Sequence, residues 1–370
     1  MRVGLVVAGG VARGGREHVV PALLWLVEAL AKRHDVHVFV LDYYPDPCTY
    51  PLLGATVHDL GRAQGPRGLR RLQTAKRLAA AVAAEAPFDV LHAYWAVPAG
   101  TATISASRAL RIPAIVTLDS GELVRCDDIA YGLQRRWIDR RAVRSVMQRA
   151  AAVTVTTEFM KALAVMRGGN PVVIPLGVDA PRFPLAERTD GPPWRLVRVA
   201  SINRVKDHTT LLEALAELVR TVPAVHLDIV GEDTLGGAMQ SLAEQLGVRE
   251  HVTFHGALPT ERVSAMYAAA HLNVVSSRHE SANVSVLEAA CTGLATVGTA
   301  VGYVADFAPG RAIAVPVKDA RALSRATAEA LRDRPLREAV AGRARAWALA
   351  HDANWTAGQF EALYTRVATR

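Results

Sequence analysis

Residues 272–306 read LNVVSSRHESANVSVLEAACTGLATVGTAVGYVAD, in the order strand, loop, helix, strand, loop, and this stretch decides the fold class. Leu272–Ser276 is an apolar run of strand length, and Arg278–Asn283 is a polar turn. Val284–Thr292 places Val284, Leu287, Ala290 and Cys291 on one helical stripe, with Gly293 as its stop. Ala295–Val297 opens the next strand. Two acids punctuate the stretch, Glu280 in the loop and Glu288 on the helix, with seven residues between them. A helix N-terminus offers unpaired N–H groups and partial positive charge, so the turn is a ready anion site. Carboxylates beside such a site suit a ligand with both phosphates and hydroxyls, as in a nucleotide sugar.

Outward from this stretch the same alternation repeats. Upstream come strand Leu196–Ala200, helix Thr209–Val219, strand His226–Val230, helix Ala238–Leu246, strand Val252–Phe254 and helix Thr260–Ala269. The tail from Ala320 onward is mostly helical. The first half starts with strand Val3–Val7 and the loop Gly9–Gly15, then a helix through Leu23 and Leu30 and strand Val36–Leu41. Ala55–Asp59, Val90–His92, Ala114–Thr117 and Ala152–Val155 are further strands, and Leu69–Ala84 and Thr101–Leu110 are helices. Strands alternating with helices imply an α/β chain with parallel sheets covered on both faces. Pro181–Trp194, PRFPLAERTDGPPW, lacks periodicity and marks a boundary. The expected domains are 1–180, 181–352, and a C-terminal helix over 353–370 that returns to the first domain.

A chain of 370 residues suits two domains of ordinary size. No apolar run spans a bilayer, and VGLVV after Met1-Arg2 is too short for a signal-peptide core. Three widely spaced cysteines, Cys48, Cys126 and Cys291, indicate neither a disulfide framework nor a zinc site, so a reducing, cytoplasmic compartment is expected. Residues 1–185 carry 23 Lys and Arg against 15 Asp and Glu, whereas 186–370 carry 20 of each. All of the excess positive charge therefore sits in the first half, which should meet something anionic. Arg67–Arg77 (Arg70, Arg71, Lys76 and Arg77 among Leu69, Leu72 and Leu78) and Arg135–Arg149, with Trp137 as an interfacial anchor, read as basic amphipathic helices. Such helices either lie on an anionic membrane, here its inner face, or present a solvated face. No nucleic-acid-binding motif accompanies the charge.

Several loops follow strands at the edge where open α/β sheets bind ligands. Arg204 and Lys206, after Leu196–Ala200, supply cations for a diphosphate, or are merely solvated. Glu280 and Glu288 would lie roughly 12 Å apart if the eight steps were helical, wider than the roughly 5–9.5 Å of a hydrolase carboxylate pair. That spacing suits two acids gripping separate parts of one ligand, the alternative being that Glu288 is a surface helix residue. Asp119, after Ala114–Thr117, either touches the reacting sugar or acceptor hydroxyl or caps the next turn. His92 is either structural or ligand-facing. The Gly9–Gly15 loop lets a phosphate or sugar approach the backbone but does not fit GxGxxG.

Taken together, GGREHVVPALLWLVEALAKRHDVHV, FDVLHAYWAVPAGTATISASRALRIPAIVTLD, VIPLGVD, IVGEDTL, VTFHGALP and the Glu-x7-Glu spacing resemble the retaining glycosyltransferases of family 4. The resemblance implies the GT-B architecture, two Rossmann-like domains facing each other across a cleft. It implies that Glu288 binds ribose hydroxyls, Glu280 contacts the donor sugar and Lys206 pairs with the diphosphate. Amides of Ser281, Ala282, Asn283 and Val284 would meet the diphosphate or sugar, Gly256 and Leu258 would line the base, and Gly14-Gly15 would close on the donor. Three positions depart from the family pattern. Ser201 stands where an arginine is common, with Arg204 the candidate substitute; Ala282-Asn283 replaces an aromatic-glycine pair; and Asp119 stands where a histidine is frequent. The implied activity is metal- and cofactor-independent transfer from a UDP- or GDP-sugar to the hydroxyl of a glycan or lipid-linked acceptor, as in envelope or exopolysaccharide synthesis. Strict Asp-x-Asp, the metal clamp of the other major fold, does not occur. The rivals are an epimerase or phosphorylase of the same fold, an NAD-dependent oxidoreductase, and a non-catalytic sugar-binding protein.

Overall fold

The structure, a computed structural model, describes residues 1–15, 20–63 and 67–369, apart from the side chains of 67–69. The Arg67 and Leu69 side chains of the first basic segment, and residues 16–19 of the first glycine-rich stretch, thus lie outside the described residues.

The chain divides into two compact units, Met1–Leu176 with Ala353–Arg370, and Gly177–Asp352. Unit 1 begins with β1 (Arg2–Val7), α1 (Pro21–Ala31), β2 (Asp35–Val40), β3 (Cys48–Leu52), β4 (Ala55–Asp59), α2 (Arg67–Ala84) and β5 (Val90–Tyr94). It continues through α3 (Thr101–Leu110), β6 (Ala114–Leu118), α4 (Trp137–Arg149), β7 (Ala152–Val155), α5 (Glu158–Val165) and β8 (Val172–Val173). Unit 2 holds β9 (Trp194–Val199), α6 (His208–Val219), β10 (Val225–Val230), α7 (Ala238–Gln245), β11 (Val252–Phe254), α8 (Thr260–Ala269) and β12 (Leu272–Val275). Then come α9 (Ser285–Cys291), β13 (Thr296–Thr299), α10 (Gly302–Phe307), β14 (Ile313–Val315), α11 (Ala320–Arg332) and α12 (Arg334–Ala350). The last helix, α13 (Ala353–Ala368), belongs to unit 1.

The first sheet runs β3-β4-β2-β1-β5-β6-β7-β8, parallel throughout except for β3 against β4. The second runs β11-β10-β9-β12-β13-β14 and is wholly parallel. Central strands such as β5 and β12 are buried along their whole length, which is why they read as unbroken apolar runs rather than alternating ones. Each sheet reverses its strand order once, between β1 and β5 in unit 1 and between β9 and β12 in unit 2. Loops leaving the carboxyl ends of strands at such a reversal splay apart and leave a crevice. The two reversals therefore fix where each unit offers a site.

Two local readings differ from the structure. Unit 2 begins at Gly177 rather than Pro181, and the aperiodic segment is held to it: the Arg188 guanidinium donates to the carbonyls of Tyr267, Ala270, Thr292 and Gly293. The loop expected after Val297 contains α10, whose first residue, Gly302, sits at φ +53, where a Cβ would lie 2.6 Å from the Ala282 oxygen. The C-terminal helix α13 packs on α1, and Arg33 pairs with Glu361 at 3.0 Å.

Candidate functional site

In unit 2 the crevice between β9 and β12 is built by two loops tied to each other. After β9, the Asn203 side chain accepts from the backbone N–H groups of Val205 (3.2 Å) and Lys206 (3.1 Å). Asp207, in the left-handed region at φ +51, caps α6 by accepting from Thr210 N and Oγ1. Lys206 is thereby fixed between a turn and a helix start. Arg278 N then donates to the Val205 carbonyl (2.8 Å), and Ser276 Oγ to the Lys206 carbonyl (2.9 Å), closing the two loops together.

Across this seam Lys206 Nζ reaches both oxygens of Glu280, at 2.8 and 2.7 Å. Ser277 Oγ donates to Glu280 Oε1 at 2.6 Å. Burial alone pushes the Glu280 carboxyl up, but the Lys206 and Arg198 cations, with hydrogen bonds from Lys206 and Ser277, outweigh it and hold the group below its usual range. Glu288, on α9, has a different environment. It is buried, accepts one hydrogen bond, from the Tyr267 hydroxyl at 2.8 Å, and burial pushes its carboxyl up to about 7. The two acids thus share neither partners nor charge state. One is an ionised carboxylate clamped by cations, the other a carboxyl poised to titrate near neutrality.

The remaining sequence-predicted residues of unit 2 lie on the segments that follow β9, β11 and β12. Ser281 and Ala282 are buried; Asn283 takes φ +71 and accepts from Ser285 Oγ at 2.6 Å. Tyr303 N donates to the Ala282 carbonyl, so α10 braces this loop from behind. Val284 immediately precedes α9, which has only seven residues. A helix of two turns adds little dipole; the charge at this seam is carried by Lys206. Gly256, at φ +67 and exposed, and half-buried Leu258 follow β11; the Gly256 carbonyl accepts from Gly231 N, which ties that rim to β10. Arg204 is exposed and, among the described residues, makes no ion pair. Arg198, unremarked in the sequence, is instead the second cation on Glu280, its Nη2 lying 3.7 Å from Oε1.

Unit 1 has its own crevice at the β1–β5 reversal, a cavity of about 520 Å³. Trp95, Val97, Glu122 and Tyr131 line it, together with exposed Arg135 and Arg136. Trp95 stands at φ +70, a conformation rare for a bulky residue and found where surrounding structure imposes it. Glu122 imposes part of it by accepting from Ala96 N and Ser120 N; burial raises its carboxyl, partly offset by these backbone donors. Asp119 sits at the end of β6 and accepts from Thr156 Oγ1 at 3.4 Å. Gly14 is exposed, and Gly15, at φ +61, donates to the Ala12 carbonyl, both on the loop after β1. His92 is fully buried between Tyr364 Oη and Thr117 Oγ1, each at 2.7 Å, so it ties α13 to the sheet and does not face a ligand. His37, His58 and Glu85 bring ligand-type atoms within 4.8 Å. Arg2 donates to His37 Nε2 at 2.9 Å, which leaves Nδ1 to donate to His58 Nε2 at 2.9 Å: a relay already satisfied, with a cation against it.

Two family models match the chain, "Glycosyl transferase 4-like domain" over residues 19–177 and "Glycosyl transferases group 1" over 182–347. A D-inositol 3-phosphate glycosyltransferase of Segniliparus rotundus is 33% identical over 142 residues, 35% of this chain and 32% of that protein. A GDP-mannose-dependent alpha-(1-6)-phosphatidylinositol monomannoside mannosyltransferase of Mycolicibacterium smegmatis is 31% identical over 236 residues, 57% of this chain and 61% of its own length. The matches therefore span about a third to three fifths of these relatives. Among solved structures, a sucrose-phosphate synthase from Thermosynechococcus elongatus superposes with a TM-score of 0.80 at 20% identity, covering 99% of this chain and 98% of that one. At that identity the likeness speaks for the fold, two Rossmann-like domains.

Proposed function

Because this chain belongs to the family-4 type glycosyltransferases, we propose that it transfers a sugar from a nucleoside-diphosphate sugar to an acceptor hydroxyl. The observation that carries this reading is the Lys206–Glu280 pair at the strand reversal of unit 2, followed in the chain by buried Glu288 on α9. Glu288, once ionised, accepts from the ribose hydroxyls; Glu280 accepts from the donor sugar; and Lys206 compensates the charge that grows on the departing diphosphate. The acceptor attacks from the face the diphosphate leaves, so the anomeric configuration is retained. No protein nucleophile takes part, and no metal ion is needed because Lys206 supplies the positive charge.

The cavity of unit 1 is the acceptor pocket in this reading. Its lining residue Arg136 adjoins α4, whose surface exposes Trp137 (61%) and Ile138 (42%) among Arg140, Arg141 and Arg144. Arg71 on α2 pairs with Asp139 on α4 at 3.0 Å and brings exposed Leu72 and Lys76 onto the same basic face. Aromatic and aliphatic side chains among arginines suit the surface of an anionic bilayer. Among the described residues no helix is long and apolar enough to cross a membrane. In this reading the basic face of α4 and α2 brings the protein to the inner face of the membrane, where it acts peripherally on a glycan or lipid-linked acceptor.

A panel of UDP- and GDP-sugars, screened by thermal shift and then for release of nucleoside diphosphate in EDTA, tests the proposal. Stabilisation by at least one nucleotide sugar, with release that EDTA does not abolish, is expected. Stabilisation by NAD alone, or activity lost in EDTA and restored by Mg²⁺, would overturn it.

A further inference from the structure

The proposed donor site leaves one charged group without a role. Arg198, on β9, is fully buried. Its Nη2 donates to Ser277 Oγ at 2.7 Å, and its equally buried Nε and Nη1 have no hydrogen-bond partner among the described residues. A guanidinium is costly to bury unless a carboxylate faces it, and Glu280 does so at 3.7 Å. Ser277 links the two, accepting from Arg198 and donating to Glu280 Oε1. Glu280 therefore has a cation on each side, mobile-stemmed Lys206, whose side chain is 24% exposed, and enclosed Arg198.

An ammonium has three donors, and two of Lys206's are already spent on Glu280. When Lys206 takes up a diphosphate its hold on Glu280 weakens, and a buried carboxylate that lost its only cation would protonate. Resting on the donor reading above, we propose that Arg198 is a positioning residue, keeping Glu280 charged and aimed at the donor sugar while Lys206 turns to the diphosphate. The other titratable groups around the pair do not supply that charge. His208, close to Arg198 and Lys206, is held neutral, lowered to about 3 by burial and then by those two cations. Tyr267 on α8 is engaged with Glu288 on α9. Arg198 also answers the departure at Ser201. The guanidinium absent from the loop is supplied three residues earlier, from inside the strand, where it stands behind the carboxylate rather than in front of the phosphate.

The test is the pH profile of kcat, at saturating donor, for hydrolysis of UDP-glucose, UDP-N-acetylglucosamine or GDP-mannose, whichever the unsubstituted protein turns over, in Arg198→Met and Arg198→Lys on a Glu288→Gln background, where the acid limb reports the donor-bound state and Glu288 no longer titrates. The acid limb should rise by about one pH unit in Arg198→Met and be largely restored in Arg198→Lys. Thermal unfolding of Arg198→Met, Glu280→Gln and the double variant reads the pairing without activity: Glu280→Gln should lower Tm and Arg198→Met should restore it in the double variant. An unmoved acid limb, or strictly additive Tm shifts, overturns the inference. A protein that binds no nucleotide sugar overturns the donor reading and this inference with it; turnover with an unmoved limb overturns this inference alone.

Discussion

Glu288→Gln has an effect whose sign and size follow from the structure. Glu288 is 7% exposed, its one described hydrogen bond comes from Tyr267, and its carboxyl titrates at about 7 instead of the ordinary 4.5. Between those two values the folded protein keeps a proton that the unfolded chain has released, so the unfolded state binds fewer protons and stability falls as pH rises. The displacement corresponds to about 3 kcal/mol, absent at pH 4.5 and fully expressed above pH 7. Glutamine keeps the shape and an acceptor for Tyr267 but cannot ionise. Relative to the wild type, Glu288→Gln should therefore gain less than about 1 kcal/mol at pH 5 and about 3 kcal/mol by pH 8, the latter about 6–12 °C in the unit 2 transition. Denaturant and thermal unfolding from pH 5 to 8 measure this directly. A difference independent of pH, or one that grows towards acid, would refute the assignment of a buried, uncompensated carboxyl. The same variant should bind nucleoside diphosphate more weakly than wild type at pH 8, because an amide accepts ribose hydroxyls less well than a carboxylate.

Three other outcomes follow from the site and its supports. Lys206→Ala should lower turnover by about 100-fold with a smaller change in KM, since its charge is needed most when the diphosphate departs; steady-state kinetics with the preferred donor checks this. Gly302→Ala forces a Cβ to within 2.6 Å of the Ala282 oxygen at φ +53, so it should cost about 1–3 kcal/mol of stability and impair donor binding through the 280–283 loop, read by unfolding and titration calorimetry. On α4, Trp137→Ala with Arg140→Gln and Arg141→Gln should abolish flotation with anionic liposomes at low salt while leaving nucleotide binding intact, each arginine contributing about 1 kcal/mol at the membrane surface. No flotation by the wild type would sink the membrane reading.

The parts of this chain legible in the sequence are those where spacing and chemistry coincide. Buried parallel strands such as β9 and β12 announce themselves as apolar runs, Lys206 and Glu280 stand out in the loops after those runs, and Glu288 by its spacing from Glu280. Other features had no local signal. Arg198 lies inside a strand reading LVRVA and gives no sign that its side chain reaches a carboxylate 82 residues later. Tyr267 looks like any aromatic on a helix until α8 packs on α9. Strand β3 carries Pro51 and pairs antiparallel at the sheet edge, so CTYPL breaks the pattern of a central strand. Glu122 follows Asp119 in the same loop, yet only the folded positions of Ala96 and Ser120 bury its carboxyl in the unit 1 cavity. Long-range partners, set by packing rather than by periodicity, account for what the sequence left hidden.

The central claim is that unit 2 grips a nucleoside-diphosphate sugar through Glu288, Glu280 and Lys206 and releases the diphosphate without a metal. The most direct measurement is release of UDP or GDP from the preferred nucleotide sugar by the intact protein in EDTA, beside Lys206→Ala and Glu288→Gln. The account predicts release by the wild type, sharply reduced by both substitutions, with the sugar product first formed in its original anomeric configuration. Release at the wild-type rate from both variants, or an inverted product, would contradict it.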